Sequence, residues 1–169
     1  RFGKFYAHNY LPHIPPERDA RILVISCGPG YLVELLTRRG YSNVLGIDSF
    51  QEKVEYALRR NLNCRVERAF AFLEAEDQPY DVIFAEQEIN HLTKEEILAF
   101  LDLCHRKLAH GGTLIGHSIN GTSPLTGAES RAGNFDHYNS FTEYSLRQVL
   151  EYAGFEQVRV FPLNLYVFY

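Results

Sequence analysis

Residues 21–48 place the strongest constraint on what this chain can fold into. The aliphatic run from Ile22 to Ile25 is typical of a parallel strand that is buried on both faces. Gly28-Pro29-Gly30 then interrupts the run, and the regularly spaced leucines that follow predict a helix. A second short apolar run ends in Asp48, about twenty residues after the glycines. The stretch therefore predicts a strand, a glycine turn, a helix and a second strand.

The glycine pattern discriminates between two kinds of nucleotide site. A dinucleotide fingerprint requires a third glycine where this chain has Val33. Ser-Cys-Gly-Pro-Gly at 26–30, followed by Gly-Ile-Asp-Ser-Phe at 46–50, instead resembles the first two motifs of class I S-adenosylmethionine-dependent methyltransferases. The resemblance implies S-adenosylmethionine as cofactor and S-adenosylhomocysteine as product. It also implies that the glycine turn faces the methionine part and that Asp48 binds both ribose hydroxyls. The alternative is an unrelated α/β domain with a tight glycine turn.

Later segments resemble the same family. Residues 80–85 match its fourth strand, and the double glycine with the apolar run at 111–118 matches its fifth. The resemblance implies an α/β fold of three layers, Rossmann-like, with a mostly parallel sheet of seven strands and an antiparallel last strand. We expect the sixth and seventh strands over residues 155–161 and 163–169. Ser49 is the predicted N-cap of the helix that follows the second strand.

Length and composition favour one globular domain. The chain has 169 residues, of which 46% are hydrophobic and 14% aromatic. We predict a single S-adenosylmethionine-binding domain over residues 1–169, with an N-terminal helix or lid at 1–16 and an acceptor loop at 119–141. In the first segment, Tyr6 or Tyr10 would close the pocket, or the aromatic face would pack on the sheet. Because the chain begins at Arg1 and contains no methionine, we expect a fragment or a trimmed form of a longer protein.

Charge and cysteine usage limit the partners. Acidic and basic residues are interspersed with a net charge of −4, which argues against a nucleic-acid partner held by its phosphates. No apolar stretch approaches twenty residues, so no membrane span is predicted. Cys27, Cys64 and Cys104 lack metal-ligand spacing, which predicts small buried thiols, no metal site and a reducing, cytoplasmic location.

The family resemblance also suggests which residues contact the cofactor. Two positions depart from the family, since Val24 stands where the first strand usually carries an acid, and Arg68 stands where an acid is expected near the adenine. Glu67 lies one position too early to replace the latter acid. We predict that backbone N–H groups at Ala69 and Phe70 take its role. The predicted cofactor-binding residues are Ser26, Cys27, Gly28, Gly30, Asp48, Ser49, Ala69, Phe70 and Glu86.

The acceptor site is predicted in the long loop after the fifth strand. Its Ser-Pro, its Arg and its Asp136-His137 element resemble a methyltransferase subgroup associated with saccharide and polysaccharide biosynthesis, although the usual Asp-x-Thr-His-Glu is altered here. The resemblance implies O-methylation of a small-molecule or saccharide acceptor. His137 is the candidate general base, oriented by Asp136, because an imidazole titrates near neutral pH. The alternative role for His137 is to fix the loop by a hydrogen bond.

Two other functions remain open at this stage. A degenerate, non-catalytic module for binding or regulation would follow if the two departures have weakened the cofactor site. A nicotinamide oxidoreductase is disfavoured by Val33.

Overall fold

The structure is a computed structural model that describes residues 2–86, 88–123 and 127–163. The chain forms two compact units, one of residues 1–88 and 106–117 and the other of residues 89–105 and 118–169. The single domain over 1–169 stays a prediction. Each described helix is too short or too polar to cross a lipid bilayer.

The described elements alternate between strand and helix through the first unit. Short 3-10 helices follow the first α-helix, at Leu11–His13, and the fourth strand, at Glu88–His91. In chain order the elements are α1 Phe2–Asn9, β1 Ile22–Ile25, α2 Tyr31–Arg38, β2 Val44–Asp48, α3 Gln51–Leu58, β3 Cys64–Val66, α4 Ala69–Ala75, β4 Tyr80–Glu86, α5 Lys94–Lys107, β5 Leu108–His117, α6 Gly127–Ala132 and α7 Glu143–Tyr152.

The first unit is built on a parallel sheet with strand order β3-β2-β1-β4-β5. All four residues of β1 are buried, as the continuous aliphatic run predicts for a strand between two parallel neighbours. In the register of the sheet, Ile25 pairs with Ile47 on one side and with Ala85 on the other. The carboxyl ends of β1, β2 and β4 therefore lie at one edge of the sheet, which is where open α/β sheets bind ligands.

The prediction of seven strands with an antiparallel last strand is wrong for the described residues, which form five strands, all parallel. Residues 155–161, the expected sixth strand, are not a strand. Gln157 has a φ of 53°, which breaks an extended run, and the Val158 carbonyl accepts a hydrogen bond of 2.6 Å from the Arg147 guanidinium instead of a neighbouring strand. Residues 164–169, most of the expected seventh strand, lie outside the described residues.

Gly46 allows β2 to pack tightly against its surroundings. A Cβ atom at this position would lie 2.9 Å from the sulfur atoms of Cys27 and Cys64 and 2.9 Å from a methyl group of Val33. The cysteines are free. A hydrogen bond with Cys64 and burial raise the pKa of the Cys27 thiol, so this thiol remains protonated and packs as a small apolar group.

The N-terminal helix α1 is attached to the sheet by aromatic side chains. Tyr6 and Tyr10 are both buried. The Tyr10 ring lies 4.7 Å from the Phe84 ring of β4 in an edge-to-face arrangement. Tyr10 therefore packs on the sheet, whereas closure of the pocket by Tyr6 or Tyr10 stays a prediction.

Glu76 links the end of α4 to the start of β1. Its Oε2 atom accepts hydrogen bonds of 2.9 Å from both Arg21 and the Tyr80 hydroxyl, and its Oε1 atom accepts one of 3.0 Å from the Gln78 N–H. Burial alone would raise the pKa of the Glu76 carboxyl. The hydrogen bonds from Gln78 and Tyr80, with the positive charge of Arg21, outweigh burial and lower this pKa.

The second unit contains two well-defined helix starts. At α5, the Thr93 N–H donates to Glu96 at 2.8 Å and the Glu96 N–H donates to the Thr93 hydroxyl at 3.3 Å. At α7, Thr142 and Ser145 form the equivalent reciprocal pair. The region 119–141 contains a helix, α6, and an isolated bridge between Asn120 and Phe141.

Candidate functional site

The glycine turn lies at the carboxyl end of β1. Gly30 has a φ of 80°, and a Cβ atom there would lie 2.8 Å from a methyl group of Leu62, so only glycine fits. Gly28 also has a positive φ, of 52°, but a Cβ atom there would meet no atom of the described chain within 4 Å. Gly30 thus closes the turn against the core, whereas Gly28 leaves open space beside it.

Asp48 connects this turn to the end of β2. Its side chain is buried, with 6% exposure. Oδ2 accepts a hydrogen bond of 2.9 Å from the Gly28 N–H, and Oδ1 accepts one of 2.9 Å from the Phe50 N–H. The predicted N-cap is wrong, because Phe50 rather than Ser49 occupies the N-cap position of α3. The Asp48 carboxylate instead accepts the N–H group of the N-cap residue itself, and no side chain caps the start of α3.

A small cleft opens next to Asp48. Its described lining carries three carboxylates, two serine hydroxyls and no Lys or Arg. Four predicted cofactor contacts, Ser26, Asp48, Ser49 and Ala69, are among the lining residues. The lining consists of Ile25, Ser26, Ile47, Asp48, Ser49, Glu67, Ala69 and Glu88.

Ser26, which lines this cleft, has an unusual backbone conformation. Its φ is 54°, in the left-handed region that non-glycine residues rarely adopt. Its hydroxyl donates a hydrogen bond to Glu88, which follows β4. Backbone strain of this kind persists where surrounding contacts hold it, and it is common at ligand sites.

The other predicted cofactor residues do not line the cleft. The sulfur of Cys27 lies against Gly46, and Phe70 is half-buried on α4. Glu67, which the sequence places one position early, is the residue of the third strand end that reaches the cleft, while Arg68 is the N-cap of α4. The position of Val24 is buried within β1.

Glu86 belongs to a separate polar cluster with α1. The Tyr6 hydroxyl donates to Glu86 Oε2 at 3.0 Å, and His117 Nδ1 lies 3.5 Å from Glu86 Oε1. Tyr10 contacts the same His117 nitrogen at 3.0 Å. Burial and the nearby Glu86 carboxylate raise the pKa of both tyrosines, so each hydroxyl keeps its proton.

Asp136 and His137, the predicted catalytic pair, lie in the second unit together with His91. His91 Nδ1 is 3.1 Å from Asp136 Oδ2, and the rings of His91 and His137 have centroids 4.7 Å apart. His137 Nδ1 is 2.8 Å from the Ser130 carbonyl oxygen. The structure therefore places the Asp136 carboxylate against His91, while the carbonyl of Ser130 orients His137.

The backbone of Asn90 holds the segment that follows His137 beside His91. Its carbonyl oxygen accepts hydrogen bonds from the N–H groups of Tyr138, at 2.8 Å, and Asn139, at 3.2 Å. The side-chain amide of Asn139 also donates to the Leu92 carbonyl. Asn90 itself is fully buried, and its Nδ2 atom has no hydrogen-bond partner among the described residues. The contacts of residues 90–92 with residues 136–139 were not predicted, because the two segments are more than forty positions apart in the chain.

The sequence from residue 22 to residue 112, more than half of the chain, matches a family model described as a methyltransferase domain. The chain belongs to the methyltransferase domain family. This match includes the glycine turn and all eight residues that line the cleft, Asp48 among them. It confirms the family that the motifs at 26–30 and 46–50 suggest.

Two curated relatives support the family. The chain is 29% identical over 120 residues to the ubiquinone biosynthesis O-methyltransferase of Xylella fastidiosa, an alignment that covers 68% of this chain and 48% of the relative. It is 31% identical over 133 residues to the human mitochondrial ubiquinone biosynthesis O-methyltransferase, covering 70% of this chain and 35% of the relative. The chain therefore spans half or less of the length of these relatives.

Solved structures show the same fold. A SAM-dependent methyltransferase from Archaeoglobus fulgidus superimposes with a TM-score of 0.81 and is 24% identical, with 94% of this chain and 69% of that chain covered. This similarity supports the α/β methyltransferase fold with a mostly parallel sheet.

Proposed function

We propose that this methyltransferase domain binds S-adenosylmethionine in the cleft beside Asp48 and transfers its methyl group to a hydroxyl group of a small molecule. S-adenosylhomocysteine is then the product. The proposal rests on the acidic character of the cleft beside the glycine turn. Asp48, Glu67 and Glu88 line this cleft, and none of its described lining residues is a Lys or an Arg.

The charge of this cleft suits a nucleoside without phosphates. Ribose hydroxyls, an adenine amino group and the ammonium of a methionine tail are all hydrogen-bond donors, and carboxylates accept from them. The pyrophosphate of a dinucleotide would instead bring negative charge towards three carboxylates, which is unfavourable. The cleft therefore favours the methyl donor over a nicotinamide cofactor, in agreement with Val33.

Asp48 has acceptor capacity left for the ribose. An ionised carboxylate offers about four lone-pair sites. Two of them accept the N–H groups of Gly28 and Phe50, one on each oxygen. The two that remain match the two ribose hydroxyls, so Asp48 can bind the cofactor without releasing the backbone that it holds.

The acceptor side of the site is proposed in residues 119–141. His137 is the proposed general base, because hydrogen bonding of its Nδ1 to Ser130 leaves Nε2 as the proton acceptor. The methyl group of the cofactor is already electrophilic, so the chain needs only to align the acceptor oxygen with it and remove a proton. Asp136 contributes charge beside the two histidines. The names of both curated relatives support an oxygen as the methylated atom, whereas a saccharide acceptor rests on the resemblance of the loop alone.

Isothermal titration of the chain with S-adenosylhomocysteine and with NAD⁺ tests the cofactor. We expect affinity for S-adenosylhomocysteine to exceed that for NAD⁺ at least 100-fold, or about 2.7 kcal/mol. Equal binding of the two, or binding of NAD⁺ alone, would contradict the proposal.

A transfer assay tests the reaction and the acceptor class. The chain is incubated with methyl-labelled S-adenosylmethionine and with separate sets of phenolic and saccharide acceptors. Label should appear in an alkali-stable ether of one set. Binding of S-adenosylhomocysteine without transfer to either set would favour the non-catalytic module.

A further inference from the structure

We propose that His91, Asp136 and His137 form a binding site for a divalent transition-metal ion of the zinc class. Each residue offers one ligand atom, and these atoms all lie within 4.8 Å of one another. Two imidazoles and one carboxylate are ligands that zinc binds readily, and three protein ligands leave at least one position open for water or a ligand. This inference goes beyond the proposed methyl transfer and does not depend on it.

The orientation of His137 supports the proposal. A metal-bound histidine usually donates its second ring N–H to a carbonyl or carboxylate, which fixes the tautomer and turns the free lone pair towards the metal. His137 Nδ1 is 2.8 Å from the Ser130 carbonyl oxygen, so it can make this bond. Nε2 is then the atom that His137 offers as a ligand.

The position of His91 is fixed from both sides. The Asn90 carbonyl accepts the N–H groups of Tyr138 and Asn139, and the Asn139 amide donates to the Leu92 carbonyl. His91 lies between Asn90 and Leu92, so these bonds hold its backbone beside the segment that carries Asp136 and His137. A site whose ligands come from distant segments requires this kind of support.

The ligands need a small adjustment to bind an ion. Zinc bonds of about 2.0–2.2 Å in tetrahedral geometry place ligand atoms about 3.3–3.5 Å apart. The Asp136 side chain is 62% exposed, so its carboxylate can turn towards the two rings without disturbing the packing of the unit. A bound metal would occupy the His137 lone pair that a general base uses. The two roles of this residue therefore exclude each other at any one time.

Zinc binding can be measured directly. The chain is treated with a chelator, and its affinity for Zn²⁺ is measured by competition with a chromophoric chelator, with metal content determined after gel filtration. We expect one ion per chain. His91→Ala and Asp136→Asn should each lower the affinity for Zn²⁺ at least about 10-fold. Loss of a residue that only orients a ligand already lowers metal affinity about 10- to 100-fold. His110→Ala, at an exposed histidine of β5, is the matched control and should leave the affinity unchanged.

Thermal unfolding provides a second readout that does not rely on activity. Zn²⁺ should raise the Tm of the wild-type chain and of His110→Ala, but not that of the two cluster variants, because a ligand stabilises only the state that binds it. Circular dichroism shows whether each variant is folded. The proposal would be overturned if His91→Ala and Asp136→Asn each bound zinc as tightly as the wild type, or if the wild-type dissociation constant were above about 100 µM. Cofactor titration is separate from these measurements, so failure of the metal site and failure of the proposed function are distinguishable.

Discussion

Replacement of Asp48 by alanine should destabilise the protein before any effect on ligands is considered. The carboxylate holds two backbone N–H groups at 2.9 Å each, and it is buried. Each donor left without an acceptor costs about 1–3 kcal/mol, so Asp48→Ala should cost about 2–6 kcal/mol. This is a large part of the 5–15 kcal/mol that is typical of a folded domain. Asp48→Asn retains one acceptor oxygen and should cost about half as much.

Urea unfolding followed by circular dichroism measures this loss. With a slope of about 1.5–2 kcal/mol/M, a loss of 3 kcal/mol lowers the unfolding midpoint by about 1.5–2 M. Asp19→Ala is the matched control, since Asp19 is exposed. An Asp48→Ala midpoint within about 0.3 M of the wild type would refute the reasoning. The folded Asp48→Asn variant also allows cofactor binding to be measured, and its affinity for S-adenosylhomocysteine should fall about tenfold or more.

Four other predictions test the core, an ion pair, a cap and the proposed base. Gly46→Ala places a Cβ atom 2.9 Å from three side-chain atoms and should lower the unfolding free energy by about 1–3 kcal/mol in urea titrations. Glu76→Gln should cost about 1 kcal/mol at pH 7. Because the folded-state pKa of Glu76 is lowered below 4.5, that difference should be full above this pH and shrink as the pH falls through the folded-state value. Thr142→Ala removes the cap of α7 and should cost about 1 kcal/mol in the same titrations. His137→Ala should lower methyl-transfer turnover about 10²- to 10⁴-fold with unchanged affinity for S-adenosylhomocysteine.

The first strand follows from local sequence because its burial is continuous. Ile22–Ile25 is a strand with the predicted bounds, since four consecutive aliphatic residues suit only a strand between two others. The same reasoning fails at residues 155–161. Their alternating apolar side chains are compatible with a strand, but one residue of left-handed conformation and a single arginine hydrogen bond decide the backbone. A hydrophobic pattern indicates neither the backbone conformation of Gln157 nor the hydrogen bond of Arg147.

The lining of the candidate cleft was predictable from the two motifs at 26–30 and 46–50. It was less predictable where it depends on the direction of a side chain outside these motifs. Ser26, Asp48 and Ala69 reach the cleft as the motifs suggest. Glu67 follows β3 and Arg68 is the N-cap of α4, so neither lies in a regular element, and strand or helix periodicity does not predict which of the two reaches the cleft. The pairing of His91 with Asp136 was not predicted, because the hydrogen bonds that bring the two together join segments far apart in the chain.

The interval of twenty residues between Gly28 and Asp48 is a consequence of strand register rather than a requirement in itself. Strands β1 and β2 are parallel neighbours with Ile25 opposite Ile47, so the residues just beyond this pair meet at the sheet edge and the Gly28 N–H reaches Asp48. Insertions at 39–43, between α2 and β2, should therefore preserve the hydrogen bond although they lengthen the interval. A slip of β2 by one residue leaves the interval unchanged but turns the Asp48 side chain to the opposite face of the sheet. The glycine turn would then lose the carboxylate that orients it, and the cleft would lose its central acid.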